Sequence, residues 1–282
     1  MGLPPGRPDR CPGPRATHQH TEGRGRHPRR RRATAGRTRP WRDDRLASCP
    51  YHRGSEPVTN WLDEVPAFDW SNARSVHRQC RSVLTRLAGD RSLLSRLVHE
   101  IEHDPKRLAE SEIHPLINRL IAYQDDARGF QIRVHMSPGS RELVPHDHKY
   151  TFTAYVLAGA YVHVWRRRTD TAEGDFTSTD IQPGIVSIER PGTCYTFGSP
   201  LVHQTIMLPG TVTLFMRGPR EKPRSHAALD MWPEADQFPP SYEQGKPKHA
   251  NGQRPVTMDE YRSMRSQLIT RGLIDELAEI GS

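Results

Sequence analysis

The sequence is poor in cysteine and has no long apolar run. Its four cysteines lie far apart, and no two of them form a CxxC pair. This scatter argues against a disulfide framework or a zinc ribbon and indicates a reducing compartment. No stretch reaches the ~18 apolar residues that a membrane-spanning helix needs, and no apolar segment follows the paired arginines near the N-terminus. We therefore expect a cytoplasmic protein that does not enter a membrane.

Acidic residues are scarce in the first 50 residues, which hold 13 arginines, no lysine and four acids. The remaining 232 residues hold 28 basic and 29 acidic residues, so the net charge of +8 comes from the N-terminal part alone. Residues 1–55 are also rich in Pro and Gly, which predicts a disordered tail. Its arginine run, 29–32, can neutralise phosphates. A solvated tail, or translation from an upstream start codon, is the simpler interpretation, so we expect no nucleic-acid binding by the tail.

Helical periodicity begins after this tail and extends over residues 73–125. Four apolar residues recur at the i, i+3, i+4, i+7 spacing of one helix face, namely Leu94, Leu97, Val98 and Ile101. Asp104 and Pro105 end that helix, and a second, less regular helical pattern continues beyond them. Residues 56–127 are therefore predicted to form a helical subdomain.

From Gly129 onward the apolar period changes to two. Phe130, Ile132, Val134 and Met136 alternate with polar residues, which is typical of a half-buried strand. Short apolar runs bounded by Gly, Pro or Asp follow at 150–157, 160–167, 185–189, 194–197, 202–207 and 211–217. Many short strands at such spacing predict a sandwich or small barrel over residues 128–220.

The last part of the chain, residues 221–282, is predicted to be a Pro-rich loop followed by one helix that packs on the barrel. The segment Thr257–Glu260 reads TMDE, a capping box in which the first and fourth residues satisfy each other's backbone N–H groups. We expect the helix to run from 258 to about 271.

Two histidine pairs have spacings that suit metal binding, and the first is HEIEH at residues 99–103. On a helix this HExxH pattern can place two zinc ligands on one face beside a general base. Here the apolar stripe of the same helix lies on the opposite side, and Pro105 stops the helix two residues later. We therefore interpret His99 and His103 as solvated surface residues.

The second pair, His146 and His148, opens a β-rich segment. Positions i and i+2 of a strand point to the same face, so both imidazoles can converge on one point inside a barrel. Neutral imidazole suits Fe, Zn, Ni or Cu. An HxH pair alone also fits two histidines of a core or a surface.

The spacing around HxH resembles the two motifs of the cupin (RmlC-like) superfamily. Ten residues separate His148 from Gly159, and ten separate Gly192 from His203. This alignment puts Phe152 where the family has its Glu. The resemblance implies a mainly β fold: a cupin double-stranded β-helix barrel with an N-terminal helical subdomain and a C-terminal helix.

Within that superfamily, residues 115–220 resemble the cysteine dioxygenase branch of the thiol dioxygenases. The similar stretches are GFQIRVHMSPGSRELVPHDHKY, VLAGAYVHVW and HQTIMLPGTVTLFMRGP. That branch also lacks the Glu and holds Fe(II) with three histidines. The resemblance therefore implies a metal site of His146, His148 and His203.

The chain departs from that branch at the residues that handle cysteine. Phe152 and Thr153 stand where the family has a Cys that is cross-linked to a Tyr, and Arg217 stands in place of that Tyr. Thr213 and Phe215 replace the Ser and His that accompany it, and Arg119 lies one residue out of step with the carboxylate-binding Arg. We therefore do not expect cysteine to be the substrate.

The walls of the expected pocket are apolar residues and arginines. Phe152, Ala154 and Tyr195 face inward by strand phase, and Arg217 shares its strand face with Thr213 and Phe215. A buried Arg needs a partner. For Arg217 this partner is either a substrate anion or a carboxylate of the protein. The protein carboxylate would be Glu189 or an acid from the helices, and the sequence favours neither alternative. Arg133, on the polar phase of its strand, is a weaker substrate-binding candidate.

The resemblance to the thiol dioxygenases implies a non-haem Fe(II) dioxygenase that acts with O₂ on a small organic molecule, with an anion as one option. Zn, Ni or Mn are alternative metals. The alternative functions are a non-oxygenase cupin enzyme, an isomerase or hydrolase, and a non-catalytic metal or small-molecule binding cupin. The oligomeric state is left open, with a homodimer as one option.

Overall fold

The computed structural model describes residues 60–142, 144–170, 173–231 and 253–277. The tail predicted to be disordered, residues 1–55, lies outside these ranges. So does most of the predicted Pro-rich loop, since residues 232–252 are not among those described. The compact unit that contains all of the described residues begins at Ser55.

Within the described residues, three α-helices precede the barrel strands and one follows them. Three of the four begin at a residue whose side chain accepts a hydrogen bond from a backbone N–H of the first turn: Asn72, Asp90 and Asp104. The fourth begins with the predicted capping box of Thr257 and Glu260, which is confirmed. The helices are α1 (Ala73–Gly89), α2 (Arg91–His99), α3 (Pro105–Glu110) and α4 (Met258–Thr270), with single 3₁₀ turns at Trp61–Glu64, Glu100–His103, Ser178–Asp180 and Leu229–Met231.

The strands follow the period-two runs of the sequence closely. The runs at 150–157, 160–167, 185–189, 194–197, 202–207 and 211–217 each contain one strand, within a residue or two at either end. The strands are β1 (Glu112–Ile113), β2 (Asn118–Asp125), β3 (Phe130–Met136), β4 (Ser140–Arg141), β5 (Phe152–Ala158), β6 (Tyr161–Arg168), β7 (Ile181–Gln182), β8 (Val186–Glu189), β9 (Cys194–Phe197), β10 (Val202–Met207), β11 (Val212–Arg217) and β12 (Arg254–Pro255).

The prediction of helix as far as residue 125 is wrong for residues 118–125, which form β2. Leu120, Ile121 and Ala122 are all fully buried because this strand has a neighbour on each face. A short apolar run buried on both faces has no alternation, so its periodicity does not separate strand from helix. Pairing with β3 along the length of the strand decides the outcome.

The strands form two antiparallel sheets. One has seven strands in the order β12-β1-β2-β3-β11-β5-β9, and the other contains β4-β10-β6-β7, with β8 also paired to β6. The predicted fold class is confirmed. The fold is a mainly β double-stranded β-helix, with the N-terminal helices packed on its seven-stranded sheet and one helix near the C-terminus. No described helix is both long and apolar enough to cross a membrane.

The two faces of strand β3 show that the seven-stranded sheet lies between the helix-packed hydrophobic core and the interior of the barrel. Its apolar residues, such as Val134, join the helices in one large core that includes Leu94 and Leu97. Truncating such a leucine to alanine typically costs about 2–5 kcal/mol of folding free energy. The alternate residues of β3, including Gln131 and His135, are buried as well. The strand is therefore buried on both faces, and its polar phase lies inside the barrel instead of in water.

Candidate metal centre

Three histidines from two parts of the chain meet inside the barrel. His146 and His203 form an isolated antiparallel bridge, in which the backbone N–H of each donates to the carbonyl of the other at 3.0 and 2.8 Å. His148 Nε2 lies 2.7 Å from His203 Nε2. One ring nitrogen from each histidine lies within 4.8 Å of the other two. In the described part of the chain, this is the one group of three or more His, Cys, Asp or Glu whose donor atoms converge so closely.

Hydrogen bonds outside the cluster determine which ring nitrogen faces its centre. His146 Nδ1 lies 3.1 Å from the carbonyl oxygen of Val144, which can only accept, so Nδ1 carries a proton and Nε2 is the nitrogen left for a metal ion. His203 Nδ1 lies 2.8 Å from Nε2 of His163, which leaves His203 Nε2 facing His148.

Burial keeps two of these imidazoles, those of His148 and His203, uncharged. The pKa of His148 lies well below its ordinary value, first because the ring is buried and second because His146 lies beside it. The pKa of His203 is lowered by burial and then by His148. Only a neutral imidazole has a lone pair for a metal ion. The three converging imidazole nitrogens therefore fit a transition metal, without deciding which one.

A second layer of polar side chains lies behind His203. His163, on β6, is fully buried, and its Nδ1 lies 3.6 Å from Oε1 of Glu189. Burial raises the pKa of Glu189, but contacts with His163 and with the Ser187 hydroxyl outweigh it, so the carboxylate stays ionised. The order Glu189, His163, His203 is the carboxylate–imidazole arrangement that orients metal ligands.

The sequence reasoning missed His163 and Glu189. Strand alternation carries the signal for the histidine, because Tyr161, His163 and Trp165 share the inward face of β6. No such local signal identifies Glu189, which reaches His163 only because β8 pairs with β6.

A small cavity of about 80 Å³ adjoins the three histidines. The predicted wall residues Phe152, Ala154 and Tyr195 all line it, together with His148 and His203. Phe152 stacks on Phe215 at 4.5 Å between ring centroids and meets His148 edge-on at 4.8 Å. This aromatic side of the cavity keeps bulk water from the imidazoles.

Another part of the cavity lining, at Tyr150, lies close to three arginines. Arg119 and Tyr150 both line the cavity, and Arg119 forms an ion pair with Glu112 at 2.9 Å. Burial alone would raise the pKa of the Tyr150 phenol, but Arg133, then Arg119 and Arg217, outweigh it and hold that pKa below its ordinary value.

Arg217 and Arg133, the two arginines predicted to bind substrate, lie behind Tyr150. The Arg217 guanidinium stands 5.2 Å from the centre of the Tyr150 ring and donates to Gln131 Oε1 at 3.2 Å. Arg133 donates to the same oxygen at 2.5 Å, and burial lowers its pKa to about 10. The expected alternative, an ion pair of Arg217 with Glu189, is wrong, because Glu189 lies beside His163.

Three further polar side chains line the cavity without having been singled out in the sequence. His135 Nε2 and Ser140 Oγ are buried and have no hydrogen-bond partner among the described residues. Glu142 is the third, and its Oε1 lies 3.8 Å from Nε2 of His146. A search for a carboxylate after HxH passes over Glu142 because it precedes the first histidine by four residues.

The HExxH segment, 99–103, forms no comparable site. His99 is the last residue of α2, and the remaining four residues form a separate 3₁₀ turn. His99 Nε2 lies 3.1 Å from the carbonyl oxygen of Asp275, and His103 is exposed. Within the described ranges, neither ring joins a group of three converging donors.

No family model matches the chain, and no curated protein sequence matches it either. Solved structures that resemble it include KdgF from Halomonas sp., with 19% identity over 39% of this chain and 85% of that one, at a TM-score of 0.29. An RmlC-like cupin from Shewanella frigidimarina has 13% identity over 40% and 87%, at 0.29. Hydroquinone 1,2-dioxygenase from Sphingomonas sp. has 7% identity over 36% and 65%, at 0.29. Scores this low say nothing about activity.

Proposed function

We propose that this protein is a metal-dependent cupin enzyme, a non-haem Fe(II) dioxygenase that acts with O₂ on a small organic anion. The observation that carries the proposal is the convergence of three imidazoles beside a cavity that Arg119 also lines, with Arg217 and Arg133 behind Tyr150. Iron is preferred to Zn, Ni or Mn because of the likeness to the three-histidine thiol dioxygenases, which this proposal extends to the chemistry.

His146, His148 and His203 would hold the metal. A bound Fe(II) would supply open coordination positions and the one-electron chemistry that lets O₂ react with an organic molecule. The chain's own contribution is to position and shield. Phe152 and Phe215 keep water out, which strengthens every charge interaction inside the cavity.

Arg119 is the residue that would fix the substrate anion. It lines the cavity and is paired with one carboxylate, that of Glu112. Arg133 and Arg217, which lie behind it, have no carboxylate partner in the contacts described above. A planar guanidinium binds a carboxylate through two parallel hydrogen bonds. His135 Nε2 and Ser140 Oγ, which have no hydrogen-bond partner among the described residues, would bind polar groups of the same substrate.

The cavity is small, about 80 Å³, which favours a small substrate. Cysteine is excluded because Arg217 and Phe215 occupy the positions that the thiol dioxygenases use for their Tyr and His. Arg217 lies behind Tyr150, with its guanidinium 5.2 Å from the centre of that ring.

The test is oxygen consumption by protein loaded with Fe(II) under anaerobic conditions and then supplied with O₂ and a set of small carboxylates and phosphates. We expect uptake with at least one of them, and incorporation of both atoms of isotopically labelled O₂. Protein loaded with Zn(II) is the control and should consume no oxygen. Sulfinate formation from cysteine at a comparable rate would contradict the exclusion of that substrate.

Two other outcomes would replace the proposal. Turnover without oxygen uptake in the Zn(II) or Mn(II) form would identify a non-oxygenase enzyme. Tight binding of a ligand without any turnover would identify a binding protein. With an active substrate, Arg119→Lys should raise KM about 10- to 100-fold through loss of a bidentate charged hydrogen bond. Arg141→Lys, at an exposed arginine of β4, is the matched control.

A further inference from the structure

We infer that Arg133 and Arg217 form a second oxyanion site, separate from Arg119, that binds a carboxylate or a phosphate group. This site goes beyond the proposed function, which uses Arg119 for the substrate anion, and it does not need a bound metal. The two arginines come from the neighbouring strands β3 and β11, whose pairing sets Gln131 opposite Arg217 and Arg133 opposite Phe215. Both therefore lie on the inner face of the seven-stranded sheet.

The two guanidinium groups share one neutral oxygen. Arg133 Nε donates to Gln131 Oε1 at 2.5 Å, and Arg217 Nε donates to the same atom at 3.2 Å. These distances keep the two Nε atoms less than about 6 Å apart, a separation at which like charges in a protein repel each other appreciably. The charge of Arg133 persists at neutral pH, because burial lowers its pKa only to about 10.

The orientation of the Gln131 amide is fixed from its other side. Gln131 Nε2 donates to Glu110 Oε2 at 3.0 Å and to Gln124 Oε1 at 2.8 Å. A carboxylate can only accept, so Glu110 holds the amide nitrogen on its own side and leaves the oxygen facing the arginines. Gln131 is buried. The arginine pair is therefore held by a hydrogen-bond network inside the fold, unlike two arginines on a solvated surface.

Most N–H groups of this pair have no acceptor in the described part of the chain. Neither terminal nitrogen of Arg133 has a hydrogen-bond partner there, since its bond to Gln131 uses Nε. Arg217 donates from Nη1 to the Gly218 carbonyl at 3.1 Å, and its Nη2 has no such partner. These nitrogens are not among the fully buried atoms that lack partners, so a ligand can reach them.

The carboxylates that act on the pair are engaged elsewhere. Glu112 favours the positive charge of Arg133, but it pairs with Arg119 at 2.9 Å. Asp126, which interacts with the charge of Arg217, is exposed and pairs with a lysine. Two positive charges on one neutral oxygen, partly withdrawn from water, are unfavourable without a counter-charge. A carboxylate or phosphate supplies that charge, and guanidinium groups bind such anions through paired hydrogen bonds.

The test is anion binding by the metal-free protein, measured by calorimetry and by melting temperature with inorganic phosphate and with acetate. Sodium chloride at matched ionic strength is the reference, because chloride has no pair of oxygens. We expect phosphate to raise the melting temperature of the wild type. Arg133→Met and Arg217→Met should each weaken phosphate binding about 10- to 100-fold, through loss of charged hydrogen bonds.

A matched control removes an arginine that also bonds to a glutamine oxygen. Arg166, on β6, donates to Gln204 Oε1 at 3.2 and 3.3 Å, and Arg166→Met should bind phosphate as the wild type does. Circular dichroism of each variant checks the fold. Arg133→Lys, which keeps the charge but not the planar pair of donors, should recover part of the affinity lost in Arg133→Met.

Dicarboxylates from malonate to glutarate identify the source of the anion. A dicarboxylate that binds more tightly than acetate, and that also depends on Arg119, would show that the site holds a second acid group of the substrate. Binding of phosphate and acetate without that gain would show that the site holds a free anion.

Three results would overturn the inference. They are no binding of phosphate or acetate by the wild type, equal binding in the wild type and both methionine variants, and a loss in Arg119→Met as large as in those variants. The last result would place the anion at Arg119, in the cavity. Protein that binds phosphate through Arg133 and Arg217 but never consumes O₂ in its Fe(II) form would refute the oxygenase proposal alone.

Discussion

The chain contains two histidine pairs, 99/103 and 146/148, with spacings that suit metal binding, and they end in opposite environments. His99 is the last residue of α2, and His103 lies in the 3₁₀ turn that follows. His99 Nε2 contacts the backbone carbonyl of Asp275. His146 and His148 lie at the entrance to the barrel, where His203 reaches them from a distant strand. Spacing within one segment brings two rings to one side, but a third donor must come from elsewhere in the fold.

The difference also shows in what surrounds the rings. The helix that contains His99 buries its apolar stripe, including Leu94 and Val98, against the core on its other face. His148 is enclosed by Phe152 and Phe197 at 4.8 and 5.7 Å between ring centroids. Desolvation of this kind keeps a ligand imidazole neutral and shields a bound metal ion from water. No such aromatic enclosure surrounds His99 and His103 among the described residues.

The largest expected effect separates the two pairs directly. His203→Ala should reduce bound metal to below about a tenth of the wild-type content, because one of three imidazole ligands is lost. The measurement is elemental analysis after loading with one equivalent of Fe(II) or Zn(II). His99→Ala and His103→Ala are the matched controls and should retain full metal content. Loss of metal in these controls, with retention in His203→Ala, would reverse our assignment of the site.

The next effect tests whether the layer behind His203 matters. His163→Leu should weaken metal binding about 10- to 100-fold, since His203 loses the partner that fixes its ring. His163→Gln, which can still accept from His203 Nδ1, should recover part of that affinity. Chelator competition measures both variants. His77→Gln, at a histidine that contacts only Thr196 among the hydrogen bonds described, should behave as wild type. Equal affinity in all three variants would leave His163 with a packing role alone.

A third, smaller effect concerns His114, a half-buried histidine that is not one of the three converging residues. Burial, followed by Arg119, lowers the pKa of His114 to about 3, and its Nδ1 accepts the Leu116 N–H at 3.1 Å. Below pH 6.5 the unfolded chain binds a proton at His114 that the folded protein does not, so stability falls as the pH falls from 6.5 toward 3. Between pH 7 and 5, wild type should lose about 1–2 kcal/mol more free energy of unfolding than His114→Asn.

Urea unfolding of metal-free protein at the two pH values measures this difference. Asparagine is the matched replacement because its side-chain oxygen can accept from the Leu116 N–H without titrating. Identical losses in the two proteins would show that His114 titrates at its ordinary pKa in the folded state.

The smallest expected effect is on folding free energy, and it concerns the surface pair, His99 and His103. His99→Ala should cost only about 0.5–1.5 kcal/mol of folding free energy, the net value of one hydrogen bond, here to the Asp275 carbonyl. His103→Ala, at an exposed position, should cost less still. Both are read from chemical unfolding curves at neutral pH. A cost several times larger for His103→Ala would mean that this ring packs against a part of the chain outside the described residues.

Much of the barrel could be predicted from the sequence, and the reasons are local. Six short apolar runs each contain a strand, because period-two alternation and bounding Gly, Pro or Asp mark where a strand begins and ends. The closing helix, α4, begins at its capping box for the same reason. Strand β2 could not be predicted, because Leu120, Ile121 and Ala122 are buried on both faces and show no period.

The candidate site was predictable only in part. His146, His148 and His203 were identified by spacing and by resemblance, and Phe152 and Tyr195 by strand phase. Glu142, His163 and Tyr150 were not, since each matters through a neighbour on a different strand. Arg217 was expected to meet a substrate or Glu189, and it meets Gln131 and Tyr150 instead.

The sequence by itself determined which segments are strands, which residues of each strand share a face, and that HxH places two imidazoles side by side. Backbone sterics and the alternation of side chains act over a few residues, so the local sequence is enough to determine these features. Only the tertiary structure decided that His203 Nε2 comes within 2.7 Å of His148, that Glu142 faces His146, and that Glu189 supports His163. Those contacts depend on the pairing of β10 and β8 with β6, and strand pairing across dozens of residues follows from burial of the whole sheet and not from any one segment.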